Sequence, residues 1–292
     1  MVYRASFKPI KLFATSSSKH LLRSLSIEKG SFVCSPFSDG EIYLKVMDEV
    51  NDKNIWVLAN TCAPAENLLE LFFLLDALTR MGARINLIVN YFGYARQDKP
   101  KHGESSSGEL IAKCLQALHL EKVYIVHMHS QRLRHALTYE NLIPLELFAK
   151  VAASFDAVVA PDRGAEVFAK QIAEHIGKPV ILIEKQRPRQ EKVKILSVQG
   201  EVKNLRLLIV DDMISTGNTI LAGSQLLYAK GAKYIEVMAT HGLFAQGALK
   251  KLEKSKIGKI TVTNSLPQEQ HSPKLRVLNL SPLVKDLIDS QS

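Results

Sequence analysis

Two adjacent carboxylates followed by a run of hydroxyls and a glycine are the residues of this chain best suited to chemistry. In RLLIVDDMISTGNT, residues 206–219, an apolar run ends at Asp211 and Asp212, and Ser215, Thr216, Gly217, Asn218 and Thr219 lead into a helical pattern from Ile220. Leu207 to Val210 reads as a buried parallel strand, because both faces are apolar and the run stops at a turn signal. Hydroxyls and glycine at a helix N-terminus offer backbone N–H groups and a positive dipole end, which suits a phosphate monoester. The carboxylates cannot bind that phosphate, but they can accept hydrogen bonds from vicinal hydroxyls. The loop therefore suits a sugar phosphate. A plain helix-capping turn is the blander reading, and it leaves the paired acids unexplained.

Five other segments carry candidate chemistry. Asp162, Arg163 and Gly164 follow the strand DAVVA and Pro161, which puts a carboxylate at the carboxyl end of a parallel strand, where open α/β sheets bind ligands. Capping of the next helix is the alternative for Asp162. Lys185 and Arg187 follow the strand VILI at i and i+2, so in an extended segment they share a face and can clamp one developing phosphoryl charge. Arg96 in YFGYARQD offers phosphate a planar fork that lysine lacks, and the Gly/Ser/Lys-rich stretch after it, 99–108, has the composition of a mobile loop. FSDGE, residues 37–41, has the composition of a hairpin turn. His127 and His129, at i and i+2 of the strand ending VYIV, would share a face, yet no cysteine or acid nearby completes a structural zinc site.

Alternating strand and helix patterns must position these residues. Strands are predicted at Lys11 to Ala14, Ile42 to Val46, Ile55 to Ala59, Arg84 to Tyr91 and Lys122 to Val126, with helices at Glu66 to Arg80 and Gly108 to Leu118. A second series has strands at Ala157 to Ala160, Val180 to Ile183, Leu207 to Val210, Tyr234 to Met238 and Lys259 to Thr263, with helices starting near Ala165, Thr219 and Phe244. This is an α/β pattern with mainly parallel sheets. With 292 residues, two similar domains are expected, 1–145 and 146–292, because Asn141 to Pro144 interrupts the pattern. No apolar run reaches membrane-span length and no signal-peptide core opens the chain, so a cytoplasmic protein is expected. Three scattered cysteines fit reduced thiols. The net charge of +9 comes without a nuclear-targeting block or an aromatic RNA-binding signature, so anionic small molecules explain it better than nucleic acid.

Together, FSDGEI, YFGYARQD, the histidine of VHMH, APDRG, EKQRP and VDDMISTGNT occur in the order and approximate spacing of ribose-phosphate diphosphokinases, also called PRPP synthetases. The resemblance runs from about Pro36 to the end, including TVTNSLP and SPLVKDLI. It implies two type I phosphoribosyltransferase-like domains, and transfer of the diphosphoryl group of Mg-ATP to the C1 hydroxyl of ribose 5-phosphate, giving PRPP and AMP for nucleotide biosynthesis. By the same resemblance, Lys185 and Arg187 stabilise the transferring group, and Ser215, Thr216, Gly217 and Thr219 hold the 5-phosphate. Asp211 and Asp212 hold the ribose hydroxyls or their metal. Arg96, Gln97 and Asp98 face ATP, and His129 and Asp162 match Mg²⁺-linked positions. Phe37, Asp39 and Glu41 match residues that reach the adenine across a subunit boundary, which implies a homo-oligomer, dimer or hexamer.

Two departures stand out. His127 occupies a position where many members carry Asp, and an imidazole is a poor substitute for a hard Mg²⁺ ligand. Ser215 also stands where many members carry Asp, a trait associated with a shorter, archaeal-like branch. Ser215 and a chain length on the short side for the family weaken any assumption of the phosphate activation and ADP inhibition of longer members. Two alternatives remain at this stage: a phosphoribosyltransferase that consumes PRPP, sharing only the last loop, and a non-enzymatic subunit of the synthetase, which His127 favours and the retained Lys185, Arg187, Asp211 and Asp212 oppose.

Overall fold

Strands buried on both faces need no alternation of apolar and polar residues, and the near-continuous Val/Ile/Leu runs of this chain form parallel sheets for that reason. The computed structural model describes residues 11–186 and 195–291. They fall into two compact units, one of Met1–Ile143 with Ser281–Ser292, the other of Pro144–Leu280.

The first unit runs through β1 (Lys11–Ala14), α1 (Lys19–Leu22), β2 (Glu28–Lys29), β3 (Phe32–Pro36), β4 (Ile42–Val46), β5 (Asn54–Asn60), α2 (Glu66–Arg80), β6 (Arg84–Tyr91), α3 (Ser107–Gln116), β7 (Lys122–Val126) and β8 (Glu140–Leu142). A six-stranded sheet has the order β2-β1-β5-β6-β7-β8, and each neighbouring pair is parallel. Strands β3 and β4 form a separate antiparallel hairpin. The core packs Leu71, Leu74, Leu75 and Leu78 of α2 with Val57, Leu87 and Ile125 of the sheet, all fully buried. The Leu71, Leu74, Leu75, Leu78 spacing is the apolar stripe of an amphipathic helix.

The second unit contains α4 (Leu145–Ala152), β9 (Ala157–Ala160), α5 (Glu166–Ile176), β10 (Val180–Gln186), β11 (Ile195–Gln199), β12 (Arg206–Ile214), α6 (Asn218–Ala229), β13 (Tyr234–Gly242), α7 (Ala248–Glu253), β14 (Ile260–Thr263) and β15 (Leu275–Leu278). Its seven-stranded sheet has the order β11-β10-β9-β12-β13-β14-β15, with β10 and β11 antiparallel. The terminal helix α8 (Ser281–Ser290) groups with the first unit, where the Ser281 hydroxyl meets that of Ser24 at 2.6 Å. Each unit is thus a mainly parallel sheet flanked by helices.

In the second sheet, β10 lies on one side of β9 and β12 on the other, so the strand order reverses between β9 and β12. In the first sheet the reversal falls between β1 and β5. Crevices at such switch points are where open α/β sheets bind ligands.

Three strands of the second unit extend beyond the sequence-based expectation. β10 continues from Ile183 to Gln186, β12 from Val210 to Ile214, and β13 from Met238 to Gly242. Backbone pairing carries them on, with Asp211 opposite Ala239, Met213 opposite His241 and Ile214 opposite Gly242. Main-chain ladders are indifferent to side-chain polarity, whereas the end of an apolar run is not.

Candidate functional site

The second unit's crevice gathers acids. Asp162 follows β9, and Asp211 and Asp212 lie within the last part of β12, on the strand itself and not beyond it as the end of the apolar run suggests. Asp211 and Asp212 keep some solvent exposure as whole residues. Burial nevertheless pushes the Asp211 carboxyl well above the usual carboxylate range, and the negative charges of Asp212 and then Asp162 push it the same way. Asp211 Oδ1 accepts the Asp212 N–H at 2.9 Å. Asp162 Oδ1 accepts the N–H groups of Gly164 at 2.9 Å and Ala165 at 3.4 Å, so this residue shapes the turn before α5, although it is not the helix cap: the N-cap is Ala165 and no side chain caps it. Asp162 also contributes to the field at Asp211.

Beyond β12 the chain turns through Ser215 and Thr216 to Gly217, which has φ +73° and forms the N-cap of α6. A left-handed backbone there requires glycine in practice. The turn is held from behind, since the Ile214 carbonyl accepts both the Leu243 and the Phe244 N–H at 3.0 Å. Four N–H groups of the first turn of any helix lack intrahelical partners; in α6 that turn follows Ser215, Thr216 and Gly217 and contains Thr219.

Lys185 lies on β10, in register with Leu196 of β11, and Arg187 lies outside the described residues. Next to Lys185, Glu184 takes the Arg163 guanidinium through Nη2 at 2.7 Å and Nε at 3.0 Å. Its other carboxylate oxygen accepts Gln199 Nε2 at 2.9 Å. Glu184 and Arg163 thus join the end of β10 to the Asp162 turn, a link between residues 21 apart that no local pattern announces.

In the first unit, Phe37, Asp39 and Glu41 occupy the tip of the β3–β4 hairpin, as the turn composition predicts. Phe37 is 54% exposed and stands edge-on to Tyr43 with ring centroids 5.4 Å apart. Gly40, with φ +93°, closes the turn, and Asp39 Oδ1 accepts the Glu41 N–H at 3.1 Å. Arg96 and Gln97 follow β6 and are exposed, while Asp98 is half-buried. The Asp98 carboxylate accepts the Ser130 hydroxyl at 2.5 Å, which ties the segment after β6 to the segment after β7 that carries His129. No motif in the sequence singles out Ser130.

The two histidines do not share a strand face. β7 ends at Val126, and His127 adopts φ +43°, so the alternation of a strand no longer applies. His127 is 7% exposed, whereas His129 faces solvent. The His127 imidazole is therefore an interior residue at a left-handed position.

A family model described as the N-terminal domain of ribose phosphate pyrophosphokinase matches residues 10–118, and one described as a phosphoribosyl synthetase-associated domain matches residues 158–290. The ribose-phosphate pyrophosphokinase of Helicobacter hepaticus is 31% identical, covering 95% of this chain and 94% of that protein. The enzyme of the same name from Mycoplasma genitalium is 34% identical, over 95% and 90%. Among solved structures, phosphoribosylpyrophosphate synthetase from Mycobacterium smegmatis superimposes with a TM-score of 0.86 at 29% identity, covering 97% of this chain and 99% of that one.

Proposed function

This chain belongs to the ribose-phosphate pyrophosphokinase family, and from that premise we propose that it transfers the diphosphoryl group of ATP to ribose 5-phosphate, yielding PRPP and AMP. The observation that carries the reading is the second unit's switch point, where Asp162, Asp211 and Asp212 adjoin a glycine-capped helix N-terminus. One end of that crevice suits sugar hydroxyls and the other a phosphate.

The C1 hydroxyl oxygen of the sugar attacks the β-phosphorus of ATP and gives up its proton to solvent, the bond from that phosphorus to the α–β bridging oxygen breaks, and AMP leaves. Positioning and charge neutralisation dominate such a transfer. Asp211 and Asp212 orient the ribose hydroxyls. Ser215, Thr216, Gly217 and Thr219 hold the 5-phosphate. Lys185 and Arg187 neutralise charge on the transferring group, Arg96 and Gln97 hold the nucleotide with Asp98 beside them, and Phe37, Asp39 and Glu41 serve the adenine of another copy in a homo-oligomer.

Mg²⁺ fits the donors present. Asp162, Asp211 and Asp212 are hard oxygen ligands whose mutual repulsion a divalent cation relieves. Among the described residues no group of three His, Cys, Asp or Glu side chains is arranged to enclose a metal, and Mg²⁺ commonly takes one or two carboxylates and completes its shell with water and substrate phosphates. We assign Asp162 of the second unit and, separately, His129 of the first to Mg²⁺-linked positions; the ion would screen the polyphosphate charge. Among the described residues no helix is long and apolar enough to cross a membrane, and a cytoplasmic setting suits the unbridged cysteines.

Calorimetric titration tests the acceptor assignment. Ribose 5-phosphate should bind saturably to the wild-type protein and at least ~100-fold more weakly to Asp211→Asn/Asp212→Asn, because the sugar hydroxyls lose their carboxyl acceptors. Unchanged affinity in the double variant contradicts the assignment.

A further inference from the structure

The first unit's switch point is built differently. Where the second unit has acids facing a crevice, the carboxyl ends of β1, β5 and β6 hold Thr15, Ser18, Asn60, Thr61 and Asn90, every one of them 0% exposed. Buried polar side chains are retained at a cost unless hydrogen-bonded, so their partners indicate their work. The Asn60 carboxamide donates to the Ser17 carbonyl at 3.0 Å, and its oxygen accepts the Tyr91 N–H at 2.8 Å. The Thr61 hydroxyl accepts the Gly93 N–H at 2.7 Å, while the Thr61 N–H donates to the Tyr91 carbonyl at 3.1 Å.

These bonds coincide with a break in the ladder. Ala59 pairs with Val89 but Asn60 pairs with Tyr91, so Asn90 is the extra residue of a β-bulge, and its side chain turns to the Ser18 hydroxyl at 3.1 Å. Bulges re-aim the strand that carries them. At Gly93 a Cβ would come within 2.5 Å of the Thr61 carbonyl oxygen, so the chain passes as close as glycine allows. Three residues later it presents Arg96.

We propose that Asn60 and Thr61 are positioning residues for the nucleotide side of the reaction, acting by clamping the β6 exit at Tyr91 and Gly93 so that Arg96 and Gln97 are held in place. The inference rests on the assignment of Arg96 and Gln97 to ATP, and it adds two side chains that touch neither substrate.

Thr61→Val removes the acceptor at nearly constant volume, and Thr61→Ser restores it. Steady-state AMP formation should show KM for ATP about tenfold higher in Thr61→Val, KM for ribose 5-phosphate within twofold of wild type, and recovery in Thr61→Ser. A fall in thermal stability with both KM values unchanged, equal rises in the two KM values, or no recovery with serine would each overturn the proposal. Should Thr61→Val not fold, Asn60→Ser, which withdraws the acceptor from Tyr91, is read by the same split. Absence of AMP formation by the wild-type protein would instead sink the functional reading itself.

Discussion

In the proposed mechanism the chemistry turns most sharply on Asp211 and Lys185. Asp211 has a native pKa raised above its unfolded value by burial and by the charges of Asp212 and Asp162. The folded protein therefore holds this proton more tightly than the unfolded chain, and the contribution of Asp211 to stability is lost as pH rises from the ordinary carboxylate value of about 3.9 towards the raised one. Asp211→Asn should accordingly be more stable than wild type at neutral pH in the absence of ligands, with the difference shrinking as pH falls towards ~4. Thermal melts across that range check the sign; a neutral-pH destabilisation would show that the carboxylate is stabilised in the folded state. Lys185→Ala should lower kcat by roughly 10²–10³-fold with little change in KM for ribose 5-phosphate, as expected for a group that acts mainly on transition-state charge. Initial rates of AMP release measure it, and near-normal kcat would remove Lys185 from the mechanism. Cys62 is no competing nucleophile, because burial pushes its thiol up.

The elements hold these residues through contacts that differ in how well the sequence announces them. The base of the β3–β4 hairpin is latched by Asp48, which takes Lys11 Nζ at 2.5 Å on one oxygen and the Ser31 N–H at 2.5 Å and hydroxyl at 2.9 Å on the other. Burial opposes ionisation of Asp48, yet bonds from Lys11 and Ser31 hold its carboxyl below the usual range. Asp48→Asn should cost about 1–3 kcal/mol at neutral pH and raise KM for ATP through the loosened hairpin. This stability is present above the unfolded carboxylate pKa and is lost on acidification, the opposite sense to Asp211. Denaturant melts read the first effect and initial rates the second. In the acceptor loop, Gly217→Ala must adopt φ +73° with a Cβ, so a loss of about 1 kcal/mol and a higher KM for ribose 5-phosphate are expected from the same two measurements. Where periodicity and local turn chemistry govern, the sequence was readable: α2, β6, β7 and the hairpin tip lie where their patterns put them. It was unreadable where distant residues decide, as in the continuation of β12 beside β13, the pairing of Asn60 with Tyr91, the Ser130–Asp98 bond and the Arg163–Glu184 link.

At the scale of the whole molecule, 38 basic against 29 acidic residues suit a protein whose substrates are polyanions, and the proposed homo-oligomer would cover apolar side chains that the hairpin exposes. Val33, Phe37, Tyr43 and Met47 are 44%, 54%, 39% and 58% exposed, a cluster of apolar side chains unusual on an isolated chain. Sedimentation should return more than one chain per particle; a monomer at all concentrations would contradict assembly. The motif order across both units made the family legible from sequence, while the individual roles rest on geometry that the motifs only locate. The most direct measurement is a product balance. Purified protein incubated with Mg²⁺, ATP and ribose 5-phosphate should yield AMP and PRPP in equal amounts, with neither formed when the sugar phosphate is omitted. ADP in place of AMP, AMP formed without ribose 5-phosphate, or PRPP consumed only when a nucleobase is supplied would contradict diphosphoryl transfer.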